Sequence, residues 1–295
     1  MQHILLSGVI ETPQYNAFKF HGGEVHFKMK EPLEDKVKIT SKITNSDELI
    51  LLLIVIDTLK KDGVSYIELF IPYMPYQQAD RDFSVGESFS LKTITNILNG
   101  LEINKISVFD AHSDVSTALL KNCKNIDTSD VIKEVIKSII SFNRFRSDKI
   151  WVTEKDLCIL SPDAGAYKKI GKLCSKIGWK GDLVAANKYR SISSGTIESL
   201  ELSKQDFEGK DVLIIDDICV GGRTFTELSK KLKEKNCGRV YLYISHGIFS
   251  NGLAALNPYF DRIFVTNSRK DFLLDEEFLN NNEFSLNKLT VLNII

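Results

Sequence analysis

Val212-Leu213-Ile214-Ile215-Asp216-Asp217-Ile218-Cys219-Val220-Gly221-Gly222-Arg223-Thr224 is the stretch on which the reading of this chain turns. The unbroken apolar run from Val212 to Ile215 suits a strand buried on both faces, as in a parallel sheet. It closes on two adjacent carboxylates, Asp216 and Asp217. Gly221 and Gly222 follow in a short loop, and residues 224–235 then read as a helix. Glycines let backbone N–H groups approach an anion closely, and a helix N-terminus favours negative charge. Neighbouring carboxylates accept hydrogen bonds from vicinal sugar hydroxyls. On pattern alone, a site for a phosphorylated sugar and a plain strand, turn and helix cap stand about equal, because Gly-Gly turns are common.

Working outward, residues 1–10, 36–40, 66–71, 106–109, 157–160, 181–186, 211–215 and 239–244 read as strands. Residues 45–61, 91–98, 131–142, 164–177 and 224–235 read as helices, the first with Asn45 or Ser46 as cap and Gly63 as stop. Strand–helix–strand alternation predicts an α/β fold of two tandem doubly wound parallel-sheet domains. The polar stretch near Ser147 is the expected boundary, giving domains 1–146 and 147–295. In such sheets ligands gather beyond the carboxyl ends of the strands.

Bulk properties narrow the function classes. The 295 residues suit two domains, and 43% apolar with 26% charged residues is ordinary for a globular protein. A net charge of −1 supplies no basic field for nucleic acid or an anionic membrane. Cys123, Cys158, Cys174, Cys219 and Cys237 include no Cys-x-x-Cys pair and are odd in number, which argues against a disulfide framework or zinc site and for a reducing cytoplasm. The apolar run 49–56 is far shorter than a membrane span, and the N-terminus lacks the basic start of a signal peptide.

Further segments carry chemistry-bearing residues: Ile71-Pro72-Tyr73-Met74-Pro75-Tyr76-Gln77-Gln78-Ala79-Asp80-Arg81, Asp110-Ala111-His112-Ser113, Ser161-Pro162-Asp163-Ala164-Gly165 and Asn187-Lys188-Tyr189-Arg190. Ser245-His246-Gly247-Ile248-Phe249-Ser250 and Val265-Thr266-Asn267-Ser268 are two more. On an extended backbone Lys188 and Arg190 point to one face. By spacing alone two solvated surface cations are the favoured reading. Asp163 is placed to cap the helix 164–177.

The acidic segment resembles the phosphoribosyl-diphosphate motif shared by type I phosphoribosyltransferases and ribose-phosphate pyrophosphokinases. The other segments, in this order, resemble the pyrophosphokinases specifically, from about Phe18 to the C-terminus. The resemblance implies transfer of the β,γ-diphosphate of ATP to the C1 hydroxyl of a 5′-phosphorylated ribose, dependent on Mg²⁺, with release of AMP. It implies that Lys188 and Arg190, on a flexible catalytic loop, stabilise the transferring phosphoryl group. It places Gln78, Arg81 and His112 at the nucleotide, and His112 and Asp163 at the metal. Asp216 and Asp217 would hold the ribose, with Val220, Gly221, Gly222, Arg223 and Thr224 around its 5′-phosphate. Phe20 and Glu24, in Phe20-His21-Gly22-Gly23-Glu24, would hold adenine in a neighbouring subunit, which implies a dimer-based homo-oligomer such as a hexamer. By spacing alone Phe20 also suits a core aromatic.

Three departures from the family pattern stand out. Gln78 and Ala79 occupy positions that usually hold arginine and glutamine. Val220 and Gly221 replace an aspartate and a threonine of the pentose loop, while Thr224 remains and Arg223 is added. The C-terminus is short, as in a compact phage or bacterial version. The altered loop raises a second acceptor, ADP-ribose, whose 1-diphosphate would serve NAD resynthesis. A phosphoribosyltransferase and a non-catalytic regulatory relative are the competing classes.

Overall fold

The computed structural model describes residues 1–82, 84–144, 153–190, 197–269, 271–273, 278–279 and 287–295, excepting the side chains of 143–144, 188–190 and 197–199. The chain forms two units: Met1–Asp127 with Ser268–Lys270 and Ile294–Ile295, and Thr128–Asn267 with Asp271–Asn293.

The first unit is built on a five-stranded sheet of β1 (Gln2–Leu6), β4 (Lys36–Ser41), β5 (Tyr66–Ile71), β6 (Lys105–Phe109) and β7 (Cys123–Ile126), in that order and all parallel. Alternate residues such as Ile67, Leu69 and Ile71 enter one core, shared with helices α1 (Ser46–Lys61) and α2 (Ser90–Gly100) and the antiparallel hairpin β2 (Tyr15–Lys19) and β3 (Val25–Met29). Helix α1 buries Leu49, Leu52, Val55, Ile56 and Leu59, a stripe at helical spacing. Its start is fixed by Asn45, whose side chain accepts the Glu48 N–H at 3.0 Å. A short helix, α3 (Asp114–Leu119), links β6 to β7.

The second unit contains α4 (Ser129–Arg144), β8 (Leu157–Ser161), α5 (Ala164–Ile177), β9 (Asp182–Arg190), β10 (Ile197–Leu202), β11 (Asp211–Cys219), α6 (Arg223–Glu234), β12 (Val240–Gly247), β13 (Arg262–Thr266) and β14 (Leu289–Leu292). Its seven-stranded sheet has the order β10-β9-β8-β11-β12-β13-β14. Only β10 is antiparallel, against β9. From β8 the chain builds outward to β9 on one side and to β11, β12 and β13 on the other. The strand order therefore reverses between β8 and β11, where such sheets open a crevice for ligands. Val212 and Ile214 pack in a core with Phe225, Leu228 and Leu232 of α6. Leu213 and Ile215 pack in a second core with α4 and α5.

The division after Asp127 differs from the expected boundary at 146/147. Ile132, Val135, Ile136 and Ile139 of α4 are buried against Leu157, Ile159, Leu213 and Ile215, so this helix covers the second sheet. Residue 147 itself lies outside the described residues. The hairpin, α3, β7, β10 and β13 were not anticipated from sequence. They are short or polar and carry little periodic signal.

Candidate active site

Strand β11 runs to Cys219, past the expected end at residue 215, because β12 keeps pairing with it. Ile218 lies opposite His246, and Cys219 opposite Gly247. The pairing with β8 stops earlier, at Ile214 opposite Leu160. Asp216 and Asp217 therefore sit on a length of strand bonded on the β12 side only. Ile214 faces α6 and Ile215 faces α4 and α5. By alternation, Asp216 continues the α6 face and Asp217 the α5 face. The pair straddles the end of the sheet at the switch point.

The Asp217 N–H donates to Asp216 Oδ1 at 3.0 Å. Lys169 Nζ, from α5, lies 3.9 Å from Asp217 Oδ2. Burial, then repulsion from Asp217, pushes the Asp216 carboxyl well above the ordinary range, and Asp163 adds to the repulsion. Asp163 follows β8 and caps α5, its Oδ1 accepting the Ala166 N–H at 2.9 Å. Capping and a share in this acidic field coexist at that residue.

The loop after β11 carries the next group. Gly222 has φ +82 and a Cβ there would meet Leu256 Cδ2 at 2.7 Å, so only glycine fits this turn. It precedes α6, which has no side-chain cap. The first N–H groups of that helix thus present a positive end without a built-in acceptor. Val220, 42% exposed, and Arg223 lie at the surface of the loop, and Thr224 is half-buried. The loop after β12 braces it: Ile248 N–H donates to Cys219 O at 2.9 Å, Ser250 N–H to Val220 O at 2.9 Å, and Asn251 Nδ2 to Gly221 O at 3.0 Å.

In the first unit, the residues expected at a nucleotide follow β5 and β6. Buried Asp80 accepts Arg81 Nε at 2.8 Å and Nη2 at 3.1 Å, and Ser113 Oγ at 2.7 Å. The Arg81 hydrogen bonds, opposed in part by burial and aided by Ser113, hold the Asp80 carboxyl below its ordinary range. Gln77, fully buried, accepts the His112 N–H at 3.0 Å. These contacts join the loop after β5 to the loop after β6, in which His112 is exposed, as Gln78 is in the other. Tyr76 (φ 60) and Asp110 (φ 45) are left-handed without being glycine, a strain found where a site overrides local preference. Phe20 and Glu24 occupy the turn of the hairpin. Phe20 is 52% exposed and packs on Phe18 and His26 with ring centroids 5.2 Å apart in each case, so it is not a core aromatic.

Lys188 and Arg190 lie on β9, opposite Leu200 and Ile197 of β10, rather than in a loop beyond a strand ending at 186. Cross-strand pairing with β10 extends β9 by that length. Their side chains are outside the described residues. Lys169 and Asn251 were missed in sequence. Lys169 carries no motif signal, and Asn251 follows the flagged segment at 245–250 without a pattern of its own. Among the described residues no cluster of three or more His, Cys, Asp or Glu could hold a metal ion, and no helix is long and apolar enough to cross a membrane.

Comparison with known proteins bears on the family and the fold. A model of the N-terminal domain of ribose phosphate pyrophosphokinase matches residues 2–101, and one of the phosphoribosyl transferase domain matches residues 124–272. The ribose-phosphate pyrophosphokinase of Pyrococcus furiosus is 28% identical over 257 residues, covering 85% of this chain and 84% of its own. That of Thermosipho africanus is 27% identical over 267 residues, covering 88% and 79%. In fold, the crystal structure of phosphoribosylpyrophosphate synthetase from Mycobacterium smegmatis aligns with a TM-score of 0.78 at 20% identity, covering 100% of this chain and 95% of that one.

Proposed function

Because the chain belongs to the ribose-phosphate pyrophosphokinase family of transferases, we propose that it moves the β,γ-diphosphate of ATP to the C1 hydroxyl of ribose 5-phosphate, releasing AMP. The observation that carries this reading is the acidic pair Asp216–Asp217 beside the uncapped N-terminus of α6 at the switch point. Carboxylates there suit a sugar diol, and the helix end suits its phosphate.

The C1 hydroxyl oxygen attacks the β-phosphorus and gives up its proton to solvent, the bond from that phosphorus to the α,β-bridging oxygen breaks, and AMP leaves with the bridging oxygen. Asp216 and Asp217 hold the ribose hydroxyls. Residues 220–224 hold the 5′-phosphate, with Thr224 and Arg223 adding side-chain donors. Lys188 and Arg190 neutralise charge building on the transferring group, the main protein contribution to phosphoryl transfer. Arg81, His112 and Gln78 bind the nucleotide phosphates, and Asp80 and Gln77 keep Arg81 and His112 in place. Phe20 and Glu24 receive the adenine of ATP bound to a second copy, so the active form is a homo-oligomer. The setting is the cytoplasm.

Mg²⁺ fits the residues present. Asp163 brings a hard oxygen donor close enough to add to the field on Asp216, whose carboxyl burial and Asp217 already raise. Mg²⁺ commonly takes one or two carboxylates and completes its shell with water and substrate phosphates, so no all-protein cage is needed. In the second unit Asp163 would hold it, and in the first unit His112 serves the nucleotide phosphates that the ion accompanies. When bound it supplies neutralisation of the diphosphate charge.

A second acceptor, ADP-ribose, is favoured by one observation. Val220 and Arg223 are exposed where the loop meets solvent, and Val220 brings no negative charge toward a second phosphate. The test is AMP release from ATP and Mg²⁺ with each acceptor, with the product identified by mass. Turnover with ribose 5-phosphate supports the main reading, and turnover with ADP-ribose alone transfers it to the second. Silence with both, in folded protein, sinks both and favours a regulatory relative.

A further inference from the structure

We propose that Asn251 is a specificity-determining residue of the acceptor site, its side-chain amide serving the 5′-phosphate ester in place of a side chain at position 221. The inference rests on the reading of residues 220–224 as the phosphate loop. It begins with a gap in donors. A phosphate ester is held by several N–H or O–H groups, yet Val220, Gly221 and Gly222 provide no side-chain donor.

The structure shows what fills the space. A Cβ built on Gly221 would lie 3.0 Å from Asn251 Nδ2 and 3.7 Å from Ser250 Oγ. The volume a side chain at 221 would enter is thus occupied by polar groups from the loop after β12. Gly221 has no left-handed φ, so its backbone accepts an L side chain and the obstacle is Asn251 itself. The amide is held in place. One Nδ2 hydrogen goes to Gly221 O at 3.0 Å, and the preceding Ser250 N–H anchors to Val220 O at 2.9 Å. An amide nitrogen has two hydrogens. The second, with the Ser250 hydroxyl, belongs to exposed residues beside the uncapped start of α6. Asn251 therefore closes the loop with one hydrogen and offers the other to the ligand, from a different strand end than the loop it completes.

The relationship between 221 and 251 gives a test that a merely structural asparagine would fail. Asn251→Ala should raise the KM for ribose 5-phosphate about tenfold, with the KM for ATP and kcat changing less than about threefold. Asn251→Asp should raise it further, because a carboxylate then faces the phosphate. Gly221→Ser in the wild-type background should weaken acceptor binding through crowding against Nδ2. In Asn251→Ala the same serine should recover most of the loss, since its hydroxyl enters the vacated space. Such recovery is a coupling between two residues in contact. Unchanged acceptor KM in Asn251→Ala, an equal rise for ATP, or additive losses in the double variant would overturn the proposal. Calorimetric titration with ribose 5-phosphate reads the same comparison without turnover. Wild-type binding without AMP release would count against the proposed reaction alone, whereas wild-type protein that does not bind ribose 5-phosphate would overturn the Asn251 assignment.

Discussion

Lys169, on α5, sets its ammonium nitrogen 3.9 Å from a carboxylate oxygen of Asp217, on β11. A cation thus stands by the half of the acidic pair that faces α5. Lys169→Met should raise the acceptor KM about tenfold by removing that cation from beside the pair, while Lys169→Arg should stay within about threefold of wild type. Steady-state kinetics of both variants decide it, and equal behaviour of Met and Arg would remove the charge argument.

Asp216 carries a cost in stability for its place in the site. Its folded-state pKa is raised above the ordinary 3.8 by burial and by Asp217. The folded protein therefore binds a proton more readily than the unfolded chain. Stability falls as pH rises from about 4 toward the raised value, and remains lower above it. Asp216→Asn keeps an acceptor for the Asp217 N–H and carries no charge. It should melt higher than wild type near pH 7, with the gap closing near pH 4, and should lose acceptor binding. Thermal scans at the two pH values check this; a gap independent of pH would refute the titration account.

Gln77 is buried with its acceptor on the His112 N–H. Gln77→Met removes that acceptor, at a cost of about 0.5–1.5 kcal/mol. The KM for ATP should rise more than that for the acceptor, because the disturbed loop belongs to the first unit. An acceptor KM that rises as much as the ATP KM would argue for general destabilisation.

Lys188 is assigned a charge-neutralising part in transfer. Lys188→Ala should lower kcat by two or more orders of magnitude, roughly the effect of losing a transition-state donor, and leave the melting temperature near wild type. Single-turnover AMP release measures it directly. A wild-type rate would withdraw the assignment.

Helix α4 belongs to the second unit through Ile132, Val135, Ile136 and Ile139. Burial of such side chains is worth about 1.5–3 kcal/mol each, together comparable to the roughly 5–15 kcal/mol that holds a domain. A fragment of residues 128–295 should fold cooperatively, whereas 147–295 should not. Urea unfolding followed by circular dichroism compares them.

The local pattern determined much of this protein. The apolar runs 66–71 and 211–215, the helix 164–177 with Asp163 before it, and the Asn45 start of α1 all follow from periodicity and capping. The order of the motifs placed the family. What only tertiary structure decided concerns contacts between segments far apart in the chain. Whether β11 stops at 215 or 219 depends on how long β12 remains beside it. Whether α4 closes one unit or opens the next depends on which sheet its apolar stripe meets. The braces Gln77–His112 and Asn251–Gly221 join residues 35 and 30 positions apart. Propensity and spacing act over a few residues. Strand pairing, side-chain space at Gly221 and the field on Asp216 are set by what the fold brings alongside, and no local pattern encodes that neighbour.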